Sequence, residues 1–148
     1  MNYQSFLESK VAVARETGFD VDPEEINPAL MPHQRDTVVW ALKGGRRAVF
    51  CKFGLGKTVI GLEFAHQAVK HEGGKALIVL PLGVKQEFTH DAVELLHYQK
   101  PEYIRTMAEA KESTAKILLT NYERVRDGDI DPTAVTANGK KVKSNGIS

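Results

Sequence analysis

"FCKFGLGKT", residues 50–58, joins an apolar run, "RRAVF" (46–50), to a stretch of helical periodicity that ends at Gly73-Gly74. A loop that holds phosphate needs backbone N–H groups turned inward, small residues where the chain approaches oxygen atoms, and a cation. Gly54 and Gly56 supply the permissive backbone. Lys57 has the reach for β- and γ-phosphates, and the Thr58 hydroxyl suits Mg²⁺. The helix opening there adds the partial positive charge of its N-terminus. Phe53, Leu55 and Val59 complete the candidate nucleotide-binding stretch. Cys51 stands where the general pattern G-x-x-x-x-G-K-[ST] has its first glycine, so a small residue is kept. The alternative is a glycine turn that only connects strand to helix. G-x-G-K-[ST] arises by chance in roughly one chain in a hundred of this length, and its position between a predicted strand and a predicted helix decides for phosphate.

Outward from the loop, "RRAVFCKF" (46–53) reads as a short buried strand centred on Ala48, Val49 and Phe50. "KALIVLP" (75–81) is a continuous apolar run suited to burial on both faces, and "AKILLTNY" (115–122) is another. Residues 103–106 make a minor strand. Helices are expected over 5–17, stopped by Gly18, from Pro32 to Gly44, from Lys57 to Gly73, over 84–97 and at "MAEAKES" (107–113). "FDVDPEEINPAL" (19–30) is an extended connector broken by Pro23 and Pro28. Alternation of strand and helix predicts an α/β fold, a parallel sheet between helices, with right-handed crossovers. The expected organisation is an N-terminal helix and connector (1–26), a phosphate-loop domain (27–131) and a basic tail (132–148). Trp40 and Tyr122 read as core residues.

The chain has 148 residues, enough for one sizeable core, with 42% hydrophobic and 26% charged residues, a globular balance. Twenty Lys plus Arg against nineteen Asp plus Glu leave a net charge of +1, so any contact with a polyanion must be local. A single cysteine, Cys51, excludes an internal disulfide and suits a reducing cytosol. Apolar runs fall far short of the roughly 20 residues of a membrane span. "MNYQSFLESK" lacks the marks of a secretion signal, and a cytoplasmic setting without membrane contact is expected. The five histidines show no metal-ligand spacing.

Several stretches together resemble the first RecA-like domain of superfamily 2 helicases, among them the Swi/Snf-type translocases and their phage counterparts. "LMPHQRDTVVWAL" (30–42) is similar to the segment before the phosphate loop there, "FGLGKT" (53–58) to motif I, "ALIVLPLGVKQEF" (76–88) to motif Ia and "ILLTNYERV" (117–125) to the segment that follows. The resemblance implies ATP and Mg²⁺ as ligands, with Gln34 reading the adenine edge; Phe19 is a candidate either to stack on the base or to pack in the core. It also implies nucleic acid, DNA before RNA, against the C-terminal edge of the sheet, where Pro81, Gly83, Lys85, Thr120 and Asn121 are candidate contacts.

Hydrolysis needs an acid on a further buried strand to hold Mg²⁺ and a second to orient water. In the family that strand would follow "DGDIDPT" (127–133), where this chain reads "AVTANGKKVKSNGIS" (134–148), with no acid after Asp131. Asp127, Asp129, Asp131 and Glu123 read as solvated loop acids. Residues 133–137 are expected to fill the gap in the sheet incompletely, or a second copy of the chain to help fill it. "TAVTANGKKVKS" (133–144) also reads as a hairpin turning at Asn138-Gly139. The expectation is an ATP-binding, helicase-type lobe with little ATPase activity by itself, partnered by a separate second-lobe subunit or by self-association. The alternative is a non-catalytic module that binds nucleic acid or protein. A small-molecule kinase is disfavoured, since no lid-like insertion carries arginines.

Overall fold

The computed structural model describes residues 2–10, 15–52 and 54–136. The two apolar runs become parallel neighbours, β1 (Ala76–Leu80) and β3 (Ile117–Asn121), with Ala76 beside Ile117 and Leu80 beside Asn121. The short β2 (Glu102–Tyr103) adds to the far side of β3, so the order is β1-β3-β2, all parallel. β3 is buried at every position because strands flank it and helices cover both faces. Strand periodicity sorts its side chains: Ile117 and Leu119 pack with Ala65, Leu80 and Phe88 on one face, and Leu118 with Ile104, Ala110 and Ile130 on the other.

The first face carries α3 (Lys57–Glu72) and α4 (Lys85–His90), which runs on into a single π-turn (Asp91–Leu95). α5 (Met107–Glu112) and α7 (Pro132–Thr136) lie on the second, and α6 (Tyr122–Arg126) leaves β3 directly. α2 (Pro32–Gly44) packs on α3, and Val38, Leu42, Ile60 and Leu62 join Val21, Ile26 and Leu30 of the connector in one core. α1 (Tyr3–Lys10) buries no residue. The expected α/β class, a parallel sheet between helices, is found.

Some expectations need correction. Residues 47–52 form no strand, and Phe50 is 96% exposed rather than central to a core. A strand needs a ladder partner for its N–H and C=O groups; among the described residues the sheet has three strands, and none pairs with this run. Residues 132–136 form a short helix rather than a strand or hairpin arm, and Val135 reaches the core beside Leu77; the rest of the expected hairpin lies outside the described residues. The N-terminal helix is described over Tyr3–Lys10 and does not reach residues 15–17, which are not helical; residues 11–14 lie outside the described set. Trp40 and Tyr122 are half-exposed at 51% and 56%, not core. The Arg47 guanidinium lies 5.6 Å from the Trp40 ring centre.

Residues 17–19 run across the C-terminal end of α2. Their amides donate to the carbonyls of Gly44, Lys43 and Leu42, groups a helix end otherwise leaves without partners. The approach is so close that a Cβ on Gly18 would stand 1.6 Å from the Leu42 oxygen. Gly18→Ala is therefore expected to displace this strap and destabilise the fold by about 2 kcal/mol, read as a lowered midpoint in chemical denaturation. An unchanged midpoint would show that the strap carries no stability.

Among the described residues one carboxyl group is wholly enclosed. Glu63 of α3 is 0% exposed, and its carboxyl oxygens accept from the Asn27 amide (3.1 Å), Gln67 Nε2 (2.9 Å) and the Tyr98 hydroxyl (2.5 Å). Burial first, and the hydrogen bond to Glu63 second, hold the Tyr98 phenol above its usual range, so it remains a donor. The Tyr98 ring in turn stacks on His66, centroids 3.8 Å apart. The connector, α3 and the chain after α4 are thereby tied at one point.

Candidate functional site

The loop before α3 is shaped by two glycines of positive φ, Gly54 at 83° and Gly56 at 77°. Gly56 is the N-cap of α3 in the left-handed conformation, and no side chain caps the helix. The first amides of a 16-residue helix thus lack the usual Ser, Thr, Asp or Asn partner. Lys57 opens the helix and is exposed. Leu55 N donates back to Lys52 O at 3.3 Å, closing the loop on itself. Phe53, expected in this stretch, lies outside the described residues.

Gln34 belongs to this loop in a way its sequence position did not reveal. It is 8% exposed, its Oε1 accepts from the Met31 amide at 2.9 Å, and its Nε2 donates to Leu55 O at 3.2 Å. The first bond is half of a capping box for α2, and the second anchors the loop. One amide hydrogen and one lone pair remain for a ligand. A Cβ on Gly56 would meet Gln34 Nε2 at 2.1 Å, so the glycine allows the amide to sit against the loop. Phe19, a candidate for base stacking, instead stacks on His71 near the end of α3, centroids 4.7 Å apart. Val59 is buried in the core and supports the loop from below.

Thr58 Oγ1 donates to Glu87 Oε1 of α4 at 3.2 Å. Sequence reading passed over Glu87 because it lies 29 residues further along the chain, on a helix with no motif acid expected. Only the packing of α4 against α3 brings it to the loop.

On a helix two residues are about 200° apart, so Lys85 looks away from Glu87. Its Nζ lies 4.5 Å from the centre of the Tyr103 ring, and the Arg105 guanidinium lies 5.8 Å from it. Tyr103 donates its hydroxyl to Asn121 Oδ1 at 2.6 Å, and Asn121 Nδ2 donates to Glu123. Lys85, Tyr103, Arg105 and Asn121 line a cleft of about 560 Å³ with Leu82, Gly83, Gln86 and Arg124, and no carboxylate of the described residues lines it. The cleft opens at the C-terminal end of the strands, the edge where open α/β sheets place ligands. Gly83, Lys85 and Asn121 are thus brought together, and exposed Pro81 adjoins them. Thr120 is not there. It is 0% exposed, and its hydroxyl donates to Ile104 O at 3.0 Å, a core contact inside the sheet. Tyr103 and Arg105, which sequence reading did not select, take its place.

The acids of the later loop are surface groups. Asp129 pairs with Arg124 and Asp127 with Arg126, each at 2.9 Å, and those arginines hold the Asp127 carboxyl below its usual range, Arg126 foremost. Among the described residues, no set of three or more His, Cys, Asp or Glu side chains could hold a metal. No described helix is long and apolar enough to cross a membrane.

Neither a protein-family model nor a curated protein matches the sequence. Among solved structures, the UvsW helicase from bacteriophage T4 is similar, with 17% identity and a TM-score of 0.57. The match covers 86% of this chain and 45% of that one, so the chain spans less than half of the helicase's length. The likeness establishes a helicase-like α/β fold.

Proposed function

We propose that the chain is the nucleotide-binding lobe of a helicase- or translocase-like protein, with the loop at 51–58 holding ATP and the cleft beside Tyr103 holding a nucleic-acid backbone, DNA before RNA. The observation that carries the first part is the uncapped N-terminus of α3, preceded by two positive-φ glycines and opened by a lysine. An anion there receives main-chain N–H groups and the helix partial charge together. ATP and Mg²⁺ fit this donor set. Backbone amides and Lys57 suit phosphate oxygens, and the Thr58 hydroxyl is a hard oxygen ligand of the kind magnesium takes. Bound nucleotide would supply the energy of phosphoryl transfer; the chain's own residues cradle phosphates and hold Gln34 beside the loop.

Calorimetric titration with ADP and a non-hydrolysable ATP analogue, both with Mg²⁺, tests the reading. Saturable binding at one site supports it, and no heat of binding at millimolar nucleotide refutes it. ATP turnover is expected to match that of Lys57→Ala, with or without DNA, because the segment after "DGDIDPT" carries lysines where the family's acid pair would stand. Robust turnover dependent on Lys57 would contradict that reading.

The basic cleft favours one second reading, a non-catalytic module that binds nucleic acid. Lys85, Arg105 and Arg124 line it around one aromatic ring, a composition suited to a phosphate backbone. Single-stranded DNA binding that is indifferent to nucleotide would favour the module. Binding that shifts with nucleotide would favour the lobe of a translocase.

A further inference from the structure

We propose that Glu87 supplies the carboxylate of the magnesium site at the phosphate loop, an inference that rests on nucleotide binding by that loop. Thr58 Oγ1 and Glu87 Oε1 are 3.2 Å apart. Magnesium binds oxygen at about 2.1 Å in an octahedron, so two neighbouring corners lie about 3.0 Å apart. The pair is therefore spaced as two adjacent ligands of one ion, or as one ligand and a carboxylate holding the next coordinated water. Without metal, the threonine hydroxyl donates to the carboxylate. With metal, that proton turns outward, and both oxygens offer lone pairs to the ion.

The electrostatics point the same way. Glu87 is exposed on α4 and faces the helix start where polyphosphate would sit; among the described residues no cation is bonded to it, and its hydrogen-bond partner is the neutral Thr58. A lone carboxylate there repels free nucleotide and attracts the magnesium complex. Its presence makes the loop selective for metal-bound nucleotide. A residue serving only to fix the threonine rotamer would need no charge.

The test is the coupling between Mg²⁺ and nucleotide, read as the ratio of ADP dissociation constants in EDTA and in excess Mg²⁺. In the native chain Mg²⁺ is expected to tighten ADP by about tenfold or more, within the usual range of coupling between two ligands. Glu87→Gln keeps an amide oxygen for the Thr58 hydroxyl but removes the charge. It is expected to cut the tightening to about threefold or less, with affinity in EDTA equal or higher. Glu94→Gln, which removes another exposed charge on the same stretch, is expected to leave the ratio unchanged. If Glu87→Gln keeps the full ratio while the native chain binds ADP, Glu87 is only a hydrogen-bond partner and the inference is overturned. If the native chain binds no nucleotide under either condition, the function proposed for the loop fails first. Both variants sit on exposed positions, so circular dichroism separates these outcomes from misfolding.

Discussion

Replacing Lys57 with alanine is expected to weaken ADP and ATP-analogue binding by about a hundredfold or more, to the edge of detection in a calorimetric titration. Charge-assisted hydrogen bonds contribute about 1.5–3 kcal/mol each, and a lysine that meets two phosphates makes more than one. Losing about 2.8 kcal/mol corresponds to that hundredfold. Main-chain amides remain in the variant, but they carry no net charge against a polyphosphate. Lys52 provides the control: it is also exposed, five positions before Lys57 in the sequence, and its carbonyl closes the loop onto Leu55. Lys52→Ala removes a positive charge without removing the one at the helix start and is expected to change affinity by no more than about threefold, as befits a screened surface charge. Since Lys57 is exposed, its replacement should leave the unfolding free energy within about 0.5 kcal/mol of the native value. Equal affinities for Lys57→Ala and the native chain would remove the loop from the functional account.

How far the sequence reveals this site follows from which interactions are local. The loop glycines, the start of α3 and the two long strands are visible because each is written in consecutive residues. A run such as "ILL" or "LIV" has the same meaning wherever it pairs. "RRAVF" has a strand's composition and forms none, for the converse reason. An apolar run becomes a strand only where a neighbour accepts its hydrogen bonds, and no described strand does. Thr120 reads as a contact at the C-terminal edge of the sheet, yet parallel pairing extends to Asn121 and its hydroxyl donates to Ile104 O inside. Glu87 and Tyr103 could not be found from spacing at all. Their roles arise from α4 crossing between loop and sheet edge, with residues two apart pointing opposite ways.

Glu63→Ala is expected to cost about 3–5 kcal/mol, a large share of the roughly 5–15 kcal/mol that holds a domain together. The carboxyl group is fully enclosed and accepts three hydrogen bonds, from a backbone amide, a side-chain amide and a phenol. Alanine leaves all three donors without that acceptor and opens a cavity between the connector and α3. A buried donor that loses its partner costs about 1–3 kcal/mol. The Gln67 amide also donates to Glu25 O at 3.0 Å, so it is the least affected of the three. Glutamine at the same position is the informative comparison. Its oxygen still accepts from the Asn27 and Gln67 amides, while its NH₂ can donate to the Tyr98 oxygen with the phenol proton turned elsewhere. Glu63→Gln should therefore lose no more than about 2 kcal/mol. Urea denaturation followed by circular dichroism measures both. A small loss for alanine, or equal losses for the two variants, would show that the hydrogen bonds around Glu63 do not hold the connector to α3, and that apolar packing of Val21, Ile26 and Leu30 suffices.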